Sequence, residues 1–378
     1  MTSTESIKNW DDLSLKTDLL RGIYSYGFEK PSEIQKTAIF PIINKNDVIA
    51  QAQSGTGKTG AFSISSLQYV NTDLNETQVM IIVPTRELVQ QIFKVITGIS
   101  EFMDKIKIKT LMGGTSVTTD IEELKTPSHI IIGTPGRIFD MIKRKKINMS
   151  TIQLFILDEA DEMLSKGFKE QIHTIFQYLN EKVQVAIFSA TFPDEVLELT
   201  TKFMNNPTKI TIKKENLSLD GIQQNFIATY DDQDKLKWLL SIYKQYSGGQ
   251  SIVFVNDIQR VNALYQEMQN AGFSVGCMHS SLTKNERENV LRSFSLGNEN
   301  ILISSNIIAR GIDIQQVNLV INFDIPNNVH TYLHRIGRSG RWGRKGTAIN
   351  LVCEREAESM RRIESHYKIN IPEFKNIV

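Results

Sequence analysis

Cysteine is scarce in this chain. Only Cys277 and Cys353 occur among 378 residues, too few for a disulfide framework or a cysteine-rich zinc site. Long apolar runs are missing too. Segments such as Ile130-Ile131-Ile132 and Leu154-Phe155-Ile156-Leu157 fall far short of the roughly 18 residues a membrane helix needs. The first thirty residues are charged and hold no apolar signal core, so a soluble protein in a reducing, cytoplasmic or nuclear setting is expected, with no membrane partner. There is also almost no excess charge: 43 Lys plus Arg face 42 Asp plus Glu, a net of +1. That balance excludes a binder held to nucleic acid or membrane mainly by counterion release, but it suits a protein that must let its ligand go.

What is present is an ordinary globular mixture, 40% hydrophobic and 22% charged, of a length suited to two or three domains. The charge is uneven: residues 1–212 carry 23 basic and 25 acidic side chains, residues 213–378 carry 20 and 17. Between Arg310 and Lys345 six basic residues face only Asp313 and Asp324. Short β-branched runs recur, each followed by polar or Gly/Pro punctuation and a helix-like stretch. In the first half they are Val48 to Ala50, Val79 to Val83, Ile130 to Ile132, Leu154 to Leu157 and Val185 to Phe188. This is the pattern of βαβ units around a parallel sheet whose strands are covered on both faces. After a polar stretch the series restarts with Ile252 to Val255, Phe273 to Cys277, Ile301 to Ile303, Leu319 to Ile321 and Ala348 to Val352. The expected organisation is two α/β domains, 1–212 and 222–378, joined by a linker over 213–221.

Ala52-Gln53-Ser54-Gly55-Thr56-Gly57-Lys58-Thr59 follows an apolar strand and precedes a helical pattern. Glycines let the backbone aim successive N–H groups at phosphate oxygens, and a following helix N-terminus adds partial positive charge. Lys58 would reach the β and γ phosphates and the Thr59 hydroxyl would ligate Mg²⁺. Ala52 stands where the strict P-loop has its first glycine. Further on, the run Leu154 to Leu157 ends at Asp158-Glu159-Ala160-Asp161. A carboxylate at the end of a buried strand lies where open α/β sheets bind ligands. Asp158 is placed to hold Mg²⁺ and Glu159 to orient or deprotonate an attacking water.

Together with other segments in order, these motifs resemble the DEAD-box ATP-dependent RNA helicases. Gly27 to Gln35 resembles the Q motif, Pro84 to Leu88 motif Ia, Gly113-Gly114 the GG element and Thr134 to Arg137 motif Ib. Ser189-Ala190-Thr191 resembles motif III and His334 to Arg341 motif VI. The similarity spans about residues 10 to 355, and the wording around the motifs is closest to the translation initiation factor four-A subfamily. It implies two tandem RecA-like domains, each a mainly parallel sheet flanked by helices, and an RNA-stimulated ATPase that unwinds or remodels RNA locally by ATP-driven closure of the domains. It further implies that Gln35 reads the adenine edge, with Phe28 and Lys30 beside it and Trp10 as a buttressing ring, and that Asp313 meets the ribose. Arg338 and Arg341, three apart and so one helical turn, would neutralise the γ-phosphate. Asp161, Ser189, Thr191 and His334 would couple the nucleotide site to the domain interface.

The same resemblance implies RNA held through its backbone by Thr85, Arg86, Gly113, Gly114, Thr134, Gly136, Arg137, Asn256, Arg287, Ser305 and Gly311. These are Gly, hydroxyl, amide and Arg positions suited to phosphate and 2′-OH contacts. The partners expected are single-stranded and short duplex RNA and a helical-repeat scaffold protein, for a monomer acting in translation initiation. The alternatives are an ATP-gated RNA clamp with little turnover and a nuclear RNA-processing helicase. Two departures stand out. Ser305-Asn306 occupies the motif V position where Thr-Asp is usual, so Asn306 cannot give neighbouring donors a carboxylate, and Lys284 replaces the Gln of the element that contains Arg287.

Overall fold

The apolar runs of the first half become strands because each is buried on both faces. A computed structural model describes all residues except 1–6, 53–54, 166, 212–221, 247–248, 307–316, 340–345 and 375–378. The expected linker 213–221 and the site residues Gln53, Ser54, Gly311, Asp313 and Arg341 lie outside the described residues. The chain divides into two units, Met1–Lys213 and Lys214–Val378. The first holds β1 (Val48–Gln51), β2 (Val79–Ile82), β3 (Ile108–Leu111), β4 (Ile130–Gly133), β5 (Leu154–Asp158), β6 (Gln184–Ser189) and β7 (Thr208–Thr211). Their order is β3-β4-β2-β5-β6-β1-β7, and the described pairings are all parallel. Strands β2, β4, β5 and β6 are wholly buried, while the edges β3 and β7 are half exposed.

That order divides the C-terminal strand ends into two groups. The adjacent β5, β6 and β1 lead into Asp158-Glu159, Ser189 and the loop before Lys58. The adjacent β3, β4 and β2 lead toward Gly113-Gly114, Thr134 and Thr85-Arg86. One half of the sheet thus gathers the motifs expected to meet nucleotide and the other those expected to meet RNA, at the strand ends where open α/β folds bind ligands.

The second unit holds β8 (Ile222–Thr229), β9 (Gln250–Phe254), β10 (Val275–Met278), β11 (Ile301–Ser304), β12 (Val317–Asn322) and β13 (Gly346–Cys353). The order is β10-β11-β9-β12-β13-β8, again with parallel pairing. Strands β3 and β8 have no counterpart in the apolar runs read from the sequence. Both are edge strands that are only partly covered: β3 is half-buried from Ile108 to Thr110, and β8 alternates buried and more open residues, the pattern of a half-covered strand. Among the described residues no helix is long and apolar enough to cross a membrane.

Candidate functional site

The loop after β1 turns into the helix Lys58–Tyr69 through glycine. Gly55 and Gly57 take φ of 80° and 103°, open to glycine without strain, and Gly57 is the helix N-cap. Lys58 is therefore the first helical residue, and its side chain is buried against the end of β5. Its Nζ donates to Glu159 Oε1 at 3.1 Å and lies 3.8 Å from Asp158 Oδ1. Burial opposes the Lys58 charge, but Glu159 and Asp158 outweigh it and hold the ammonium above the usual lysine range. Burial also pushes the Asp158 carboxyl up to about 7, with Lys58 opposing and the charge of Glu159 adding to the rise. Lys58 thus lies among several acids, since Asp161 is buried nearby as well. Carboxylate oxygens at the end of β5 and a half-buried Thr59 hydroxyl at the start of the helix after β1 are the oxygen donors a hard dication favours, so the residues present fit Mg²⁺.

Gln35 is tied to this loop. It is the N3 residue of the capping box of the helix Glu33–Ile43, where Oε1 accepts from Ser32 N at 2.7 Å and Nε2 donates to Gly57 O at 3.2 Å. By valence one N–H and one lone pair of the amide remain for a ligand edge. Gly60 makes this approach possible, because a Cβ there would sit 2.4 Å from Gln35 Nε2 and 3.2 Å from Phe28. The sequence reading missed Gly60, although a glycine in the first turn of a helix is a usable signal. Phe28 is held from behind: the fully buried Trp10 stacks on it at 6.3 Å and donates Nε1–H to Phe28 O at 2.8 Å. Tyr26 meets its edge at 5.2 Å. Lys30 is exposed.

Asp161 joins the strand ends together. Its backbone N–H donates to Ser189 Oγ at 3.2 Å and its carboxylate accepts from Thr191 Oγ1 at 2.6 Å. Between Asp158 and Asp161 the chain takes a sharp turn, and Glu159 has φ of 55°. The left-handed region is rare for a residue with a long side chain and is tolerated mainly where surrounding structure enforces it.

On the other half of the sheet Thr85, Arg86 and Arg137 have structural partners. Thr85 caps the helix Arg86–Ile99, accepting from Leu88 N at 3.3 Å. The Arg86 guanidinium lies against Gly113-Gly114, where a Cβ at residue 114 would fall 2.3 Å from Nη1. Gly114 also has φ of 88°, so both space and backbone require glycine. Arg137 is buried, pairs with Asp120 and donates to Thr115 Oγ1 and O, each at 2.9 Å. Its guanidinium is committed within the fold. Thr134 precedes the helix Pro135–Lys143 without a side-chain cap bond, and Gly136 is exposed with no neighbour that a Cβ would meet.

In the second unit Arg335, quoted above within motif VI but given no role, organises the strand ends. It is fully buried in the helix Val329–Ile336. Nε donates to Asn306 Oδ1 at 2.8 Å, Nη1 to Asn322 Oδ1 at 3.1 Å and Asp324 O at 2.7 Å, and Nη2 to Asn256 Oδ1 at 2.6 Å. Asn256 is fixed further by Nδ2 donating to Ile325 O at 2.9 Å. The Asp324 carboxylate is bound by Arg260, with Nη2 to Oδ1 at 2.5 Å and Nε to Oδ2 at 3.1 Å. Ser305 is half-buried and Arg287 buried. The helix ends at Ile336 with Gly337 as its C-cap, so buried Arg338 sits in the following turn. It does not occupy the helical turn expected from its spacing to Arg341. Its Nε donates to the backbone O of His334, itself buried, at 3.4 Å.

A glycine-turned lysine facing paired carboxylates, on one of two parallel sheets built alike, defines a nucleoside-triphosphate hydrolase of tandem RecA-like build. The family description "DEAD/DEAH box helicase" matches residues 32–199 and "Helicase conserved C-terminal domain" residues 234–343. The chain belongs to the DEAD-box ATP-dependent RNA helicases, an ATP-hydrolysing family. It is 50% identical over 370 residues to the probable eukaryotic initiation factor 4A of Trypanosoma cruzi, covering 97% of this chain and 91% of that one. It is 47% identical to the ATP-dependent RNA helicase eIF4A of Schizosaccharomyces pombe, covering 98% and 94%. In structure it is similar to S. cerevisiae Dbp5 bound to RNA and ADP BeF3, with a TM-score of 0.88, 34% identity and coverage of 97% and 95%.

Proposed function

We propose that the first unit hydrolyses ATP and that ATP and RNA together draw the two units into a clamp that bends and locally unwinds RNA, in the cytoplasm during translation initiation. The observation that carries this reading is the buried Lys58–Glu159–Asp158 cluster at the end of β5, joined through Asp161 to Ser189 and Thr191. Gln35, with Phe28 against it and Lys30 outside, accepts the adenine edge. The backbone from Ala52 through Gly57, including Gln53, Ser54, Gly55 and Thr56, cradles phosphates and Lys58 moves from Glu159 to them. Glu159, released from Lys58, orients and deprotonates the water. Thr59 and Asp158 would hold Mg²⁺, which supplies charge neutralisation for the phosphates. Arg338 and Arg341 neutralise charge at the γ-phosphate, Asp313 holds the ribose, and His334 acts with Asp161, Ser189 and Thr191 in coupling.

RNA is held through its backbone by Arg86, Gly113, Gly114, Thr134, Gly136, Asn256, Arg287, Ser305 and Gly311. Thr85 and Arg137 act by fixing the starts of their helices. Support for the role in initiation comes from relatives that are initiation factors, and support for closure on RNA from the Dbp5 complex with RNA and ADP BeF3. The protein works as a monomer, with a helical-repeat scaffold as partner. Glu159→Gln tests the reading. Phosphate release should fall by about 10² or more while the protein stays on single-stranded RNA longer with ATP than the natural sequence does. Unchanged turnover would remove Glu159 from the chemistry, and equal stimulation by DNA and RNA oligomers would remove RNA as the substrate.

A further inference from the structure

Arg335 is a buried cation whose four hydrogen-bonded acceptors are all neutral: the side-chain oxygens of Asn256, Asn306 and Asn322 and the backbone oxygen of Asp324. The carboxylates around it are engaged elsewhere. Asp324 is bound by Arg260, which also holds Asp232 with Nη1 to Oδ2 at 2.6 Å. Glu356 is bound by buried Lys235 at 2.5 Å. Burial pushes the guanidinium down to about 9, with Asp324 and Glu356 opposing, so it is still charged at neutral pH. A buried charge whose direct hydrogen-bond partners are all neutral, with its nearest carboxylates shared with Arg260 and Lys235, keeps part of its field, because little solvent screens it. That field emerges where Arg335 touches the side chains of Asn256 and Asn306, at the adjacent ends of β9 and β11.

We propose that Asn306, an uncharged partner of Arg335 Nε, leaves part of the Arg335 charge unbalanced among the described residues and that a backbone phosphate of RNA, seated at the strand ends carrying Asn256 and Ser305, balances it. Asn306 then sets RNA affinity and links RNA binding to the stability of the second unit. The inference rests on the reading of the protein as an RNA helicase and adds a determinant belonging to this chain. An aspartate at 306 has the shape of asparagine and keeps the acceptor for Arg335 Nε, but it carries the charge that RNA would otherwise bring. It should therefore stabilise the free protein and weaken RNA binding, two effects of opposite sign. A merely structural contact would not separate them.

The experiment compares the full chain with its Asn306→Asp variant. Thermal unfolding is followed with and without a single-stranded uridine oligonucleotide, and RNA affinity is measured at low salt with a non-hydrolysable ATP analogue. The variant is expected to unfold several degrees higher without RNA, to gain less on adding RNA, and to bind RNA about tenfold more weakly. A variant that unfolds at the same or a lower temperature, fails to fold, or binds RNA as tightly as the natural sequence overturns the proposal. If the natural sequence binds RNA and the variant binds equally, only this inference falls. If the natural sequence binds none, the functional reading falls with it.

Discussion

Lys58 and Arg335 are both buried cations at the ends of parallel strands, one in each unit, and they are neutralised in opposite ways. Lys58 faces carboxylates, Glu159 at 3.1 Å and Asp158 at 3.8 Å. Arg335 faces amide and backbone oxygens at 2.6 to 3.1 Å. An ammonium is a compact point charge that changes partners readily, whereas a planar guanidinium with a fixed fork of donors organises several acceptors at once. The difference teaches what each is for. On the proposed function, Lys58 is held by carboxylates that release it to phosphate oxygens, whereas Arg335 is held by neutral acceptors that keep it in place.

The largest test of the contrast is Lys58→Ala. ATP turnover should drop by about 10³, near 4 kcal/mol of transition-state stabilisation, as read by phosphate release; a loss under tenfold would mean that the lysine is there for the fold. Next, Arg335→Met should cost about 3 kcal/mol of unfolding free energy in the second unit by calorimetry, because four acceptors lose their donor. A gain in stability would show that the cage tolerates rather than needs its cation. A smaller effect is expected at Gly60. Gly60→Ala should push Gln35 away from Gly57, raising KM for ATP about tenfold and eroding discrimination against GTP in competition assays. An unchanged KM would separate the adenine contact from the loop that carries Lys58. The smallest is Trp10→Phe, which removes the indole bond to Phe28 O and should lower stability by about 1 kcal/mol in denaturant melts.

Much of this was legible in the sequence, and the limits have physical causes. Buried central strands such as Leu154–Asp158 read directly as apolar runs, and so did the two parallel sheets. The edges β3 and β8 did not, because both are only partly covered and carry polar residues that interrupt the run. Lys58 and Asp158 follow from their place just after apolar runs, and the structure brings the two together; Asp161, expected only from the resemblance, meets Ser189 and Thr191. Spacing misled for Arg338, because Gly337 ends the helix that the three-residue interval presupposed. The cage around Arg335 draws on Asn256, Asn306 and the pair Asn322 and Asp324, three separate segments of the sequence, and no local pattern announces such a convergence. Equally, nothing around Arg137 hinted that Asp120 and Thr115 would claim its guanidinium.

The left-handed backbone at Glu159 has a consequence for protein engineering. Glycine and asparagine take that conformation more easily than glutamate, so a library at position 159 sorted for folding yield should drift toward them. The same library sorted for ATP turnover should return to glutamate. Position 159 is thus a place where screens for robustness and screens for catalysis pull against each other, and a thermostable variant obtained by the first kind of screen should be checked there before its loss of activity is blamed on rigidity elsewhere.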